Sequence, residues 1–366
     1  MALSFSTLQP VLDFFAFPAI EIHEILSGNV NRTYHVIAAD GSACVAQRLN
    51  PVAFHDPTAL MRNSLQVLAH MRAAMEKEGL SCERRLLEFL PGRDGTYIFR
   101  EEAGEGGFWR MYRYIDHAIA YDRITDPRQF YEAGRGFGRF QHDLADLPAD
   151  CLAETIPDFH NTPKRFARFL QAVEEDRAGR ADRVREEIAF FEAHRELMGS
   201  VVPMLESGEL PLRVNHNDTK LNNVLLDEAT GEALCVIDLD TVMPGTVLYD
   251  FGDAIRSGAS TAAEDEEDLS KVSLDLDLFR AFTKGFLREC GALLTPTERE
   301  LLPLGCLVIT LELAMRFLTD YLDGDRYFKV RYTDHNLIRA RAQMALFADM
   351  EKKRERMAGI IRQESM

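Results

Sequence analysis

The segment HNDTKLNNVLLDEATGEALCVIDLD, residues 216–240, contains the densest group of polar side chains in the chain. LRVNH leads into the polar residues, and the runs NNVLLD and ALCVIDLD within the segment are joined by DEATGE. Short apolar runs bounded by Asp, Asn and Gly are typical of strands, and Gly231 suits a hairpin turn. The segment therefore predicts a polar loop that is held between strands and followed by a hairpin.

Three residues of this segment have the spacing of a phosphoryl-transfer site. His216, Asp218 and Asn223 match the pattern H-x-D-x-x-x-x-N, in which Asp accepts the proton of the acceptor hydroxyl and Asn holds a metal ion. Asp238 follows the second strand of the predicted hairpin. The hairpin would bring the carboxylate of Asp238 back beside Asn223. Carboxylate and amide oxygens are suitable ligands for Mg²⁺. We therefore predict that Asp218 is the catalytic base and that Asn223 and Asp238 hold Mg²⁺.

The neighbouring polar residues leave alternatives open. Asp218 and Asn223 could merely form a turn and cap it, because both residue types are common in turns. His216 is predicted to hydrogen-bond within the loop, since Asp218 already fills the role of base. Asp240 could share a strand face with Asp238 and add charge near the metal, or it could have no such role.

A second aspartate motif lies further along the chain. DFG at residues 250–252 is the tripeptide that binds magnesium in protein kinases. It follows the Pro-Gly pair at 244–245, too late in the chain to return beside Asn223 on the same strand ladder. We therefore predict that Asp238 is the metal ligand and that Asp250 is structural.

Strand patterns dominate the chain from about residue 20 to residue 115. EIHEIL, TYHVIA and ACVAQRL predict antiparallel strands, and a helix is predicted from near Pro57 to Gly79. Further strands are predicted at ERRLLEFL, TYIFR and FWRMYRYI, and from Arg123 onward the pattern is mainly helical. The predicted fold is α+β with two lobes: a small antiparallel β lobe for nucleotide, residues 1–115, and a large helical lobe for catalysis and substrate, residues 116–366.

The β lobe offers weaker candidates for the nucleotide site. Gly28 and Asn31 lie in a loop that could cover phosphates, although an ordinary hairpin turn explains it equally well. Arg48 takes the place of Lys in the kinase pattern V-A-I-K and could meet the phosphates, or it could be an exposed strand residue. Backbone groups near Met111 and Tyr112 could bind adenine, or they could belong to a plain buried strand.

Protein kinases pair their strand lysine with a helix glutamate, and this chain departs from that pattern. The helix after VAQRL has no acidic residue between Thr58 and Met75. Either Arg48 is held differently or it is not the phosphate residue. A nucleotide-binding regulator without turnover is therefore kept as an alternative.

Composition limits the partners of the chain. Its 366 residues are 46% hydrophobic and 28% charged, with a net charge of −17, which repels nucleic acid and anionic lipid. The six cysteines are far apart, which indicates free thiols in a reducing cytoplasm. No basic residue precedes Arg32, which argues against a signal peptide. The oligomeric state is left open.

Two segments are predicted to have ordinary structural roles. CLVITLELAMRFL at 306–318 contains Glu312 and Arg316 and is too short to span a bilayer, so no membrane association is expected. The acidic run at 264–268 is predicted to be a solvated loop, because like charges repel each other.

These motifs together resemble the aminoglycoside phosphotransferase and choline kinase-like superfamily and, more narrowly, the N-acetylhexosamine 1-kinases. The resemblance rests on residues 216–256, on GNVNRTY and VAQRLN before them, and on FLTDYLDGDRYF after them. It implies a protein-kinase-like fold, ATP and Mg²⁺. It also implies transfer of the γ-phosphate to the anomeric hydroxyl of GlcNAc or GalNAc, with Asp218 as base.

The resemblance also implies that Arg316 and Tyr327 contact the sugar. Arg316 could instead form a helix salt bridge with Glu312, and Tyr327 could cover the core. His160 and Asn161 could cap a helix or touch substrate. A neutral sugar agrees with the lack of an aromatic box for a quaternary ammonium, since the chain has a single tryptophan. The alternative acceptors are another sugar, an amino alcohol or an aminoglycoside.

Overall fold

The computed structural model describes residues 5–25, 31–51, 54–101 and 107–365, and it has the predicted α+β fold with two lobes. Gly28, a predicted nucleotide contact, lies outside the described residues. The strands are β1 (Ala19–Ile25), β2 (Arg32–Ala38), β3 (Ala43–Leu49), β4 (Phe99–Arg100), β5 (Phe108–Arg113), β6 (Ala118–Ile119), β7 (Arg213–Asn215), β8 (Val224–Asp227), β9 (Ala233–Val236) and β10 (Met243–Gly245).

The helices lie mainly in the second lobe. They are α1 (Phe5–Phe14), α2 (Pro57–Lys77), α3 (Pro127–Asp143), α4 (Thr162–Glu175), α5 (Arg185–Ala193), α6 (Arg195–Met198), α7 (Val201–Glu206), α8 (Val247–Gly258), α9 (Leu276–Cys290), α10 (Pro296–Leu322) and α11 (His335–Glu364). The predicted start of α2 is confirmed: Asp56 accepts a hydrogen bond from the Ala59 amide, and Pro57 occupies the first turn.

The first lobe is built on one antiparallel sheet with the order β1-β2-β3-β5-β4. The predicted pairing of the first three strands is confirmed. The prediction of a strand at ERRLLEFL is wrong, because this segment forms turns with a single bridge from Phe89 to Tyr112. The TYIFR strand is reduced to two residues.

The outer face of this sheet is covered by α1, a helix that the sequence patterns did not predict. The helix and the sheet form a small apolar cluster of their own. Its buried members are Leu8, Val11, Leu12, Phe15, Tyr34, Val36, Cys44, Ala46, Trp109 and Met111.

The main core continues across the predicted lobe boundary. Leu60, Val67 and Met71 of α2 are buried in the same cluster as the helices of the second lobe. The strand β6, just after the boundary, pairs with β8 of the second lobe. The division at residue 115 therefore stays a prediction, because the apolar packing is continuous there.

Helix α10 forms the centre of the second lobe. The prediction that this segment is too short to span a bilayer is wrong, because the helix has 27 residues and is apolar enough to cross a membrane. However, 83% of its most apolar window is buried inside the fold. It packs closely on α8, where a Cβ on Gly252 would lie 2.5 Å from the carbonyl oxygen of Gly305. All six cysteines are free, as predicted, and four are buried.

The acidic run at 264–268 is a loop, as predicted, but two of its carboxylates contact the helices beside it. Glu264 pairs with Arg256 at 3.2 Å, and Asp265 lies 3.2 Å from the ring of His335. These contacts tie the run to α8 and α11.

Two small sheets at the junction of the lobes carry the polar segment. The strands β8 and β9 form the predicted hairpin, with Gly231 at a positive φ in the turn. The strand β7 pairs with β10 instead, so the loop between β7 and β8 is held from two sides.

Candidate active site

The backbone of the polar loop is fixed by Asp250 from the first turn of α8. Its Oδ2 accepts from the His216 amide at 2.9 Å and from the Gln141 side chain at 2.8 Å. Its Oδ1 accepts from the Asn217 amide at 2.8 Å. Burial raises the pKa of Asp250, and these donors act in the opposite direction. Asp250 therefore holds the backbone of the polar loop through hydrogen bonds, which agrees with its predicted structural role.

The other two residues of the DFG triplet, Phe251 and Gly252, contribute to the packing of α8. Phe251 is buried among Phe279, Phe282 and Phe286. Gly252 permits the close approach of α10. The triplet is therefore part of a helix that supports the loop.

His216 holds the loop to the following hairpin. Its Nε2 donates to the carbonyl of Ile237 at 2.9 Å, and its Nδ1 accepts from the Asp218 amide at 3.3 Å. The ring is buried with its edge against Phe137 and Phe140. Both ring nitrogens are therefore engaged with backbone, which agrees with the predicted structural role.

Asp218 presents its carboxylate to the cleft between the lobes. Lys220 Nζ lies 2.6 Å from its Oδ1, and the Asn223 side chain donates to its Oδ2 at 3.1 Å and to its carbonyl at 2.8 Å. These contacts orient the carboxylate while about a quarter of the side chain stays exposed. A positioned and accessible carboxylate can accept a proton from a hydroxyl.

Asp238 stands just after β9, which ends at Val236, and its φ of 60° turns the chain out of the strand direction. Burial, together with the carboxylates of Asp240 and Asp218, raises the pKa of Asp238 to about 7. Among the described residues, none donates a hydrogen bond or forms an ion pair with this carboxylate, which lines the cleft. A partly buried carboxylate of this kind, open to the cleft, fits a divalent cation.

Asn223 has a side-chain oxygen that could act as a second ligand beside Asp238. Its Nδ2 is used by Asp218, which leaves the amide oxygen for a cation. Both Asn223 and Asp238 line the same cleft as Asp218. The structure thus brings together the three residues that the loop spacing predicts.

The suggestion that Asp240 continues a strand face with Asp238 is wrong, because residues 239–241 form a short 3₁₀ turn. Asp240 is buried and contacts the β lobe instead: Arg110 at 2.5 Å and the Asn31 side chain at 2.6 Å. Asn31 therefore reaches the cleft, as predicted, but its amide group is held by Asp240.

The cleft has a volume of about 570 Å³ and is lined on the β-lobe side by Thr33, Val45, Gln47 and Tyr112. Tyr112 thus has the predicted location, with its ring on the edge of Phe89. Gln47 occupies the cleft side of β3 where a phosphate-binding cation was expected.

Arg48 does not face the cleft, because successive strand residues point to opposite faces and Gln47 takes the inner one. Arg48 lies opposite Trp109 on the outer cluster side and pairs with Glu101 at 2.9 Å. The predicted phosphate contact of Arg48 is therefore contradicted by the register. Met111 also points into the outer cluster, and its carbonyl accepts from the Leu90 amide at 2.8 Å, so this group is not available to adenine.

A second pocket of about 180 Å³ lies between α4, α10 and the chain after α10. Arg316 and Tyr327 both line it, with the guanidinium 5.8 Å from the ring centre. The Glu312 carboxylate is 3.9 Å from Arg316, too far for a hydrogen bond. Arg165, which the sequence patterns missed, lines the same pocket, and within the described part of the chain its guanidinium donates only to the carbonyl of Phe159. Burial lowers the pKa of Arg165, and Arg316 lowers it further.

His160 lies between α10 and α8. Its Nδ1 lies 2.9 Å from Glu312, and its ring centre is 4.9 Å from that of Tyr249. Asn161 caps α4 by accepting from the Lys164 amide, which decides its role. The helix α8, which holds the polar loop through Asp250, therefore contacts His160 beside Glu312 of α10.

A compact group of possible metal ligands elsewhere is an ion-pair network. Within the described chain, Glu78, His142 and Asp143 lie close together. The Arg139 guanidinium is 2.8 Å from Glu78 and 2.7 Å from Asp143. A cation therefore already neutralises these carboxylates.

Solved structures of kinases share this fold. A microcompartment-associated aminopropanol kinase has a TM-score of 0.62 and 15% identity over 97% of this chain and 99% of its own. An aminoglycoside phosphotransferase from Alicyclobacillus acidocaldarius has a TM-score of 0.61 and 13% identity, covering 98% and 96% of the two chains. An amicoumacin kinase solved with AMP-PNP and Ca²⁺ has a TM-score of 0.59 and 13% identity, covering 95% and 93%.

A family model covers most of the chain. Residues 21–288, which span the β lobe, the polar loop, Asp238 and α8, match the family described as APH, the phosphotransferase enzyme family. The chain therefore belongs to the APH phosphotransferase enzyme family.

Proposed function

We propose that this chain is an ATP- and Mg²⁺-dependent sugar kinase that phosphorylates the anomeric hydroxyl of an N-acetylhexosamine. The observation that carries the kinase reaction is the convergence of Asp218, Asn223 and Asp238 on one cleft between the lobes. Family membership supports phosphoryl transfer to a hydroxyl. The amicoumacin kinase of similar fold, which binds AMP-PNP and Ca²⁺, supports a nucleotide with a divalent cation.

The reaction uses Asp218 as a base. Its carboxylate takes the proton of the acceptor hydroxyl as the hydroxyl oxygen bonds to the γ-phosphorus and the bond from phosphorus to the ADP oxygen breaks. Lys220 and Asn223 hold the carboxylate in place for this transfer. Asn223 and Asp238 would hold the Mg²⁺, which supplies neutralisation of phosphate charge.

Arg316 and Tyr327, which the resemblance assigns to the sugar, line a pocket that shares no lining residue with the cleft of Asp218. We assign this pocket to the acceptor, and its charges favour a neutral sugar. Arg165 and Arg316 lie in one small pocket with no carboxylate within hydrogen-bonding distance of either guanidinium among the described residues.

The lining of this pocket also contains two carboxylates, but Asp323 is paired with Arg168 and Asp320 accepts hydrogen bonds from the backbone amides of residues 326–328. The guanidinium groups of Arg165 and Arg316 therefore disfavour an ammonium group beside them. Guanidinium donors and the Tyr327 ring can instead bind the hydroxyl and acetamide oxygens of a hexosamine.

Choline is a poor candidate for a second reason. The single tryptophan, Trp109, is buried in the outer cluster of the β lobe and donates to Glu101 at 2.6 Å. It is therefore not available to enclose a quaternary ammonium. The anomeric position itself is assigned from the resemblance to the N-acetylhexosamine 1-kinases.

The test is a coupled assay of ADP release with Mg·ATP and GlcNAc, GalNAc, glucose, galactose, choline and kanamycin, with Asp218→Asn as control. We expect turnover with the N-acetylhexosamines only. Because phosphorylation at C1 abolishes the reducing end, a reducing-sugar assay of the product would identify the position. A product that keeps its reducing end would reject the 1-kinase assignment but keep the sugar kinase.

Two other outcomes would replace the proposal. Turnover with choline or kanamycin alone would make the chain an amine-alcohol or antibiotic kinase. Mg·ATP binding without ADP release for any acceptor would favour a nucleotide-binding regulator.

A further inference from the structure

Among the described residues, the inner face of β3 supplies no cation to the cleft wall, where a kinase-like strand would be expected to supply one. Gln47 occupies the inner face of β3, and Arg48 faces outward. The helix α2 carries no acidic residue from Thr58 to Met75 that could pair with a strand cation. Neither Arg48 nor an acidic residue of α2 therefore links the β lobe to the metal site.

Arg110 on β5 is a buried cation directly beside this position. It is paired with Gln47 across the strands, and its Nε and Nη2 donate to the Gln47 side-chain oxygen at 3.0 and 2.7 Å. Its guanidinium lies 5.4 Å from the ring centre of Phe89 and contacts Met61 of α2. Only 2% of the side chain is exposed, so its orientation is set by packing.

The Nη1 of Arg110 crosses to the second lobe. It lies 2.5 Å from Oδ1 of Asp240, whose side chain is 3% exposed, and Asn31 donates to the other oxygen of Asp240 at 2.6 Å. Asn31 in turn accepts from the backbone amide of Asn50 at 3.1 Å. Two groups of the β lobe therefore hold one carboxylate of the second lobe.

The turn that carries Asp240 is also clamped on its other side. Thr241 donates to the carbonyl of His216 at 2.7 Å, and the Asn217 side chain donates to the carbonyl of Thr241 at 2.9 Å. Asp238 belongs to the same turn. The position of Asp238 relative to both the catalytic loop and the β lobe is thus fixed by contacts of its neighbours.

We propose that the buried Arg110–Asp240 ion pair is the device that holds the metal-binding turn against the nucleotide lobe, so that Arg110 is a positioning residue for binding of the Mg·nucleotide. The proposal rests on the proposed function only in requiring that the cleft binds Mg·ATP, and it is independent of the acceptor. Partners that orient metal ligands from outside affect metal affinity about 10–100-fold when removed.

The test measures binding of AMP-PNP by calorimetry, with Mg²⁺ and with EDTA, for wild type, Arg110→Gln, Asp240→Asn and the double variant. We expect each single variant to bind Mg·AMP-PNP at least about tenfold more weakly, with a much smaller change in EDTA. The double variant should bind Mg·AMP-PNP little more weakly than either single variant, because each single variant already removes the same interaction. Arg110→Lys keeps the charge but cannot reach Gln47 and Asp240 together, so it should recover only part of the affinity.

Arg213→Gln is the matched control. Arg213 forms a buried ion pair with Glu298, at 2.5 and 2.8 Å, in the second lobe and away from the cleft lining. Its loss should lower the melting temperature without changing the Mg²⁺ dependence of nucleotide binding. A merely structural role for Arg110 would give this same result, which would overturn the proposal.

The remaining outcomes also distinguish a positioning role of Arg110 from other roles. Weak Mg·AMP-PNP binding by Asp240→Asn with normal binding by Arg110→Gln would make Asp240 a direct ligand and reject the role of Arg110. If Arg110→Gln does not fold, the comparison between Asp240→Asn and Arg110→Lys decides in its place, and unchanged affinity in both overturns the proposal. Failure of wild type to bind Mg·AMP-PNP would reject the proposed function, and the inference with it.

Discussion

The catalytic loop and the nucleotide-facing wall of the cleft differ in how their side chains are assembled. Asp218, Asn223 and Asp238 come from one continuous segment, and its hairpin brings them together. The wall combines one or two residues from each of β1, β2, β3 and β5, together with Asn31 just before β2. Which residues line it depends on which face of each strand is turned inward. The difference teaches that motif spacing is reliable within a short continuous segment and unreliable across a sheet.

The strongest test of the loop is Asp218→Asn. The amide cannot accept the acceptor proton, so we expect turnover to fall by about 10²–10⁴-fold with an unchanged melting temperature. The measurement is ADP release under saturating Mg·ATP, beside a thermal melt. Activity within a few-fold of wild type would show that the convergent loop does not supply the base.

Asp238→Asn tests the second half of the loop. Loss of a direct ligand should weaken the affinity for Mg²⁺ by more than the roughly 10–100-fold typical of supporting residues. The fold should be retained. The concentration of Mg²⁺ that gives half-maximal ADP release is the quantity to measure. An unchanged Mg²⁺ requirement would remove Asp238 from the metal site.

Asp250→Asn should behave differently, although Asp250 belongs to the DFG triplet. Its carboxylate accepts from two loop amides and Gln141, and an amide group would turn an NH₂ toward one of these donors. We expect a loss of stability of about 1–3 kcal/mol, measured by urea unfolding. A stable variant with a changed Mg²⁺ requirement would instead make Asp250 a metal ligand.

Arg316→Gln tests whether the predicted acceptor pocket binds the sugar. If this guanidinium binds the sugar, the KM for the N-acetylhexosamine should rise by about tenfold or more, because a charged hydrogen bond contributes roughly 1.5–3 kcal/mol. The KM for Mg·ATP should stay the same. Equal changes in both constants would indicate a general disturbance of α10.

Arg48→Gln is expected to have the smallest effect. Its ion pair with Glu101 lies on the outer side of the sheet, and such pairs near the surface contribute about 0–1 kcal/mol. Affinity for Mg·AMP-PNP should be unchanged. A tenfold loss of that affinity would mean that the cleft wall rearranges when nucleotide binds and would restore the kinase-like role of Arg48.

Much of the site was predictable because its residues follow local rules. The spacing from Asp218 to Asn223 and the strand before Asp238 predicted which residues would meet. The structural role of Asp250 was also predicted, but its contacts were not. Asp250 lies on α8 and accepts hydrogen bonds from the loop amides of His216 and Asn217. Arg110 gave one signal that was missed, a charged residue inside the apolar strand pattern FWRMYRYI, which indicates a buried partner.

The sequence by itself determined the two-lobed α+β fold, the polar loop and its hairpin, because apolar periodicity and turn residues act over short distances along the chain. Only the tertiary structure decided that Gln47 rather than Arg48 faces the cleft, that Arg165 joins Arg316 in one pocket, and that Arg110 meets Asp240. A shift of one residue in strand register reverses the face of every side chain, and Arg110 and Asp240 are far apart in sequence. Such contacts are set by the packing of the two lobes, on which local sequence patterns carry little information.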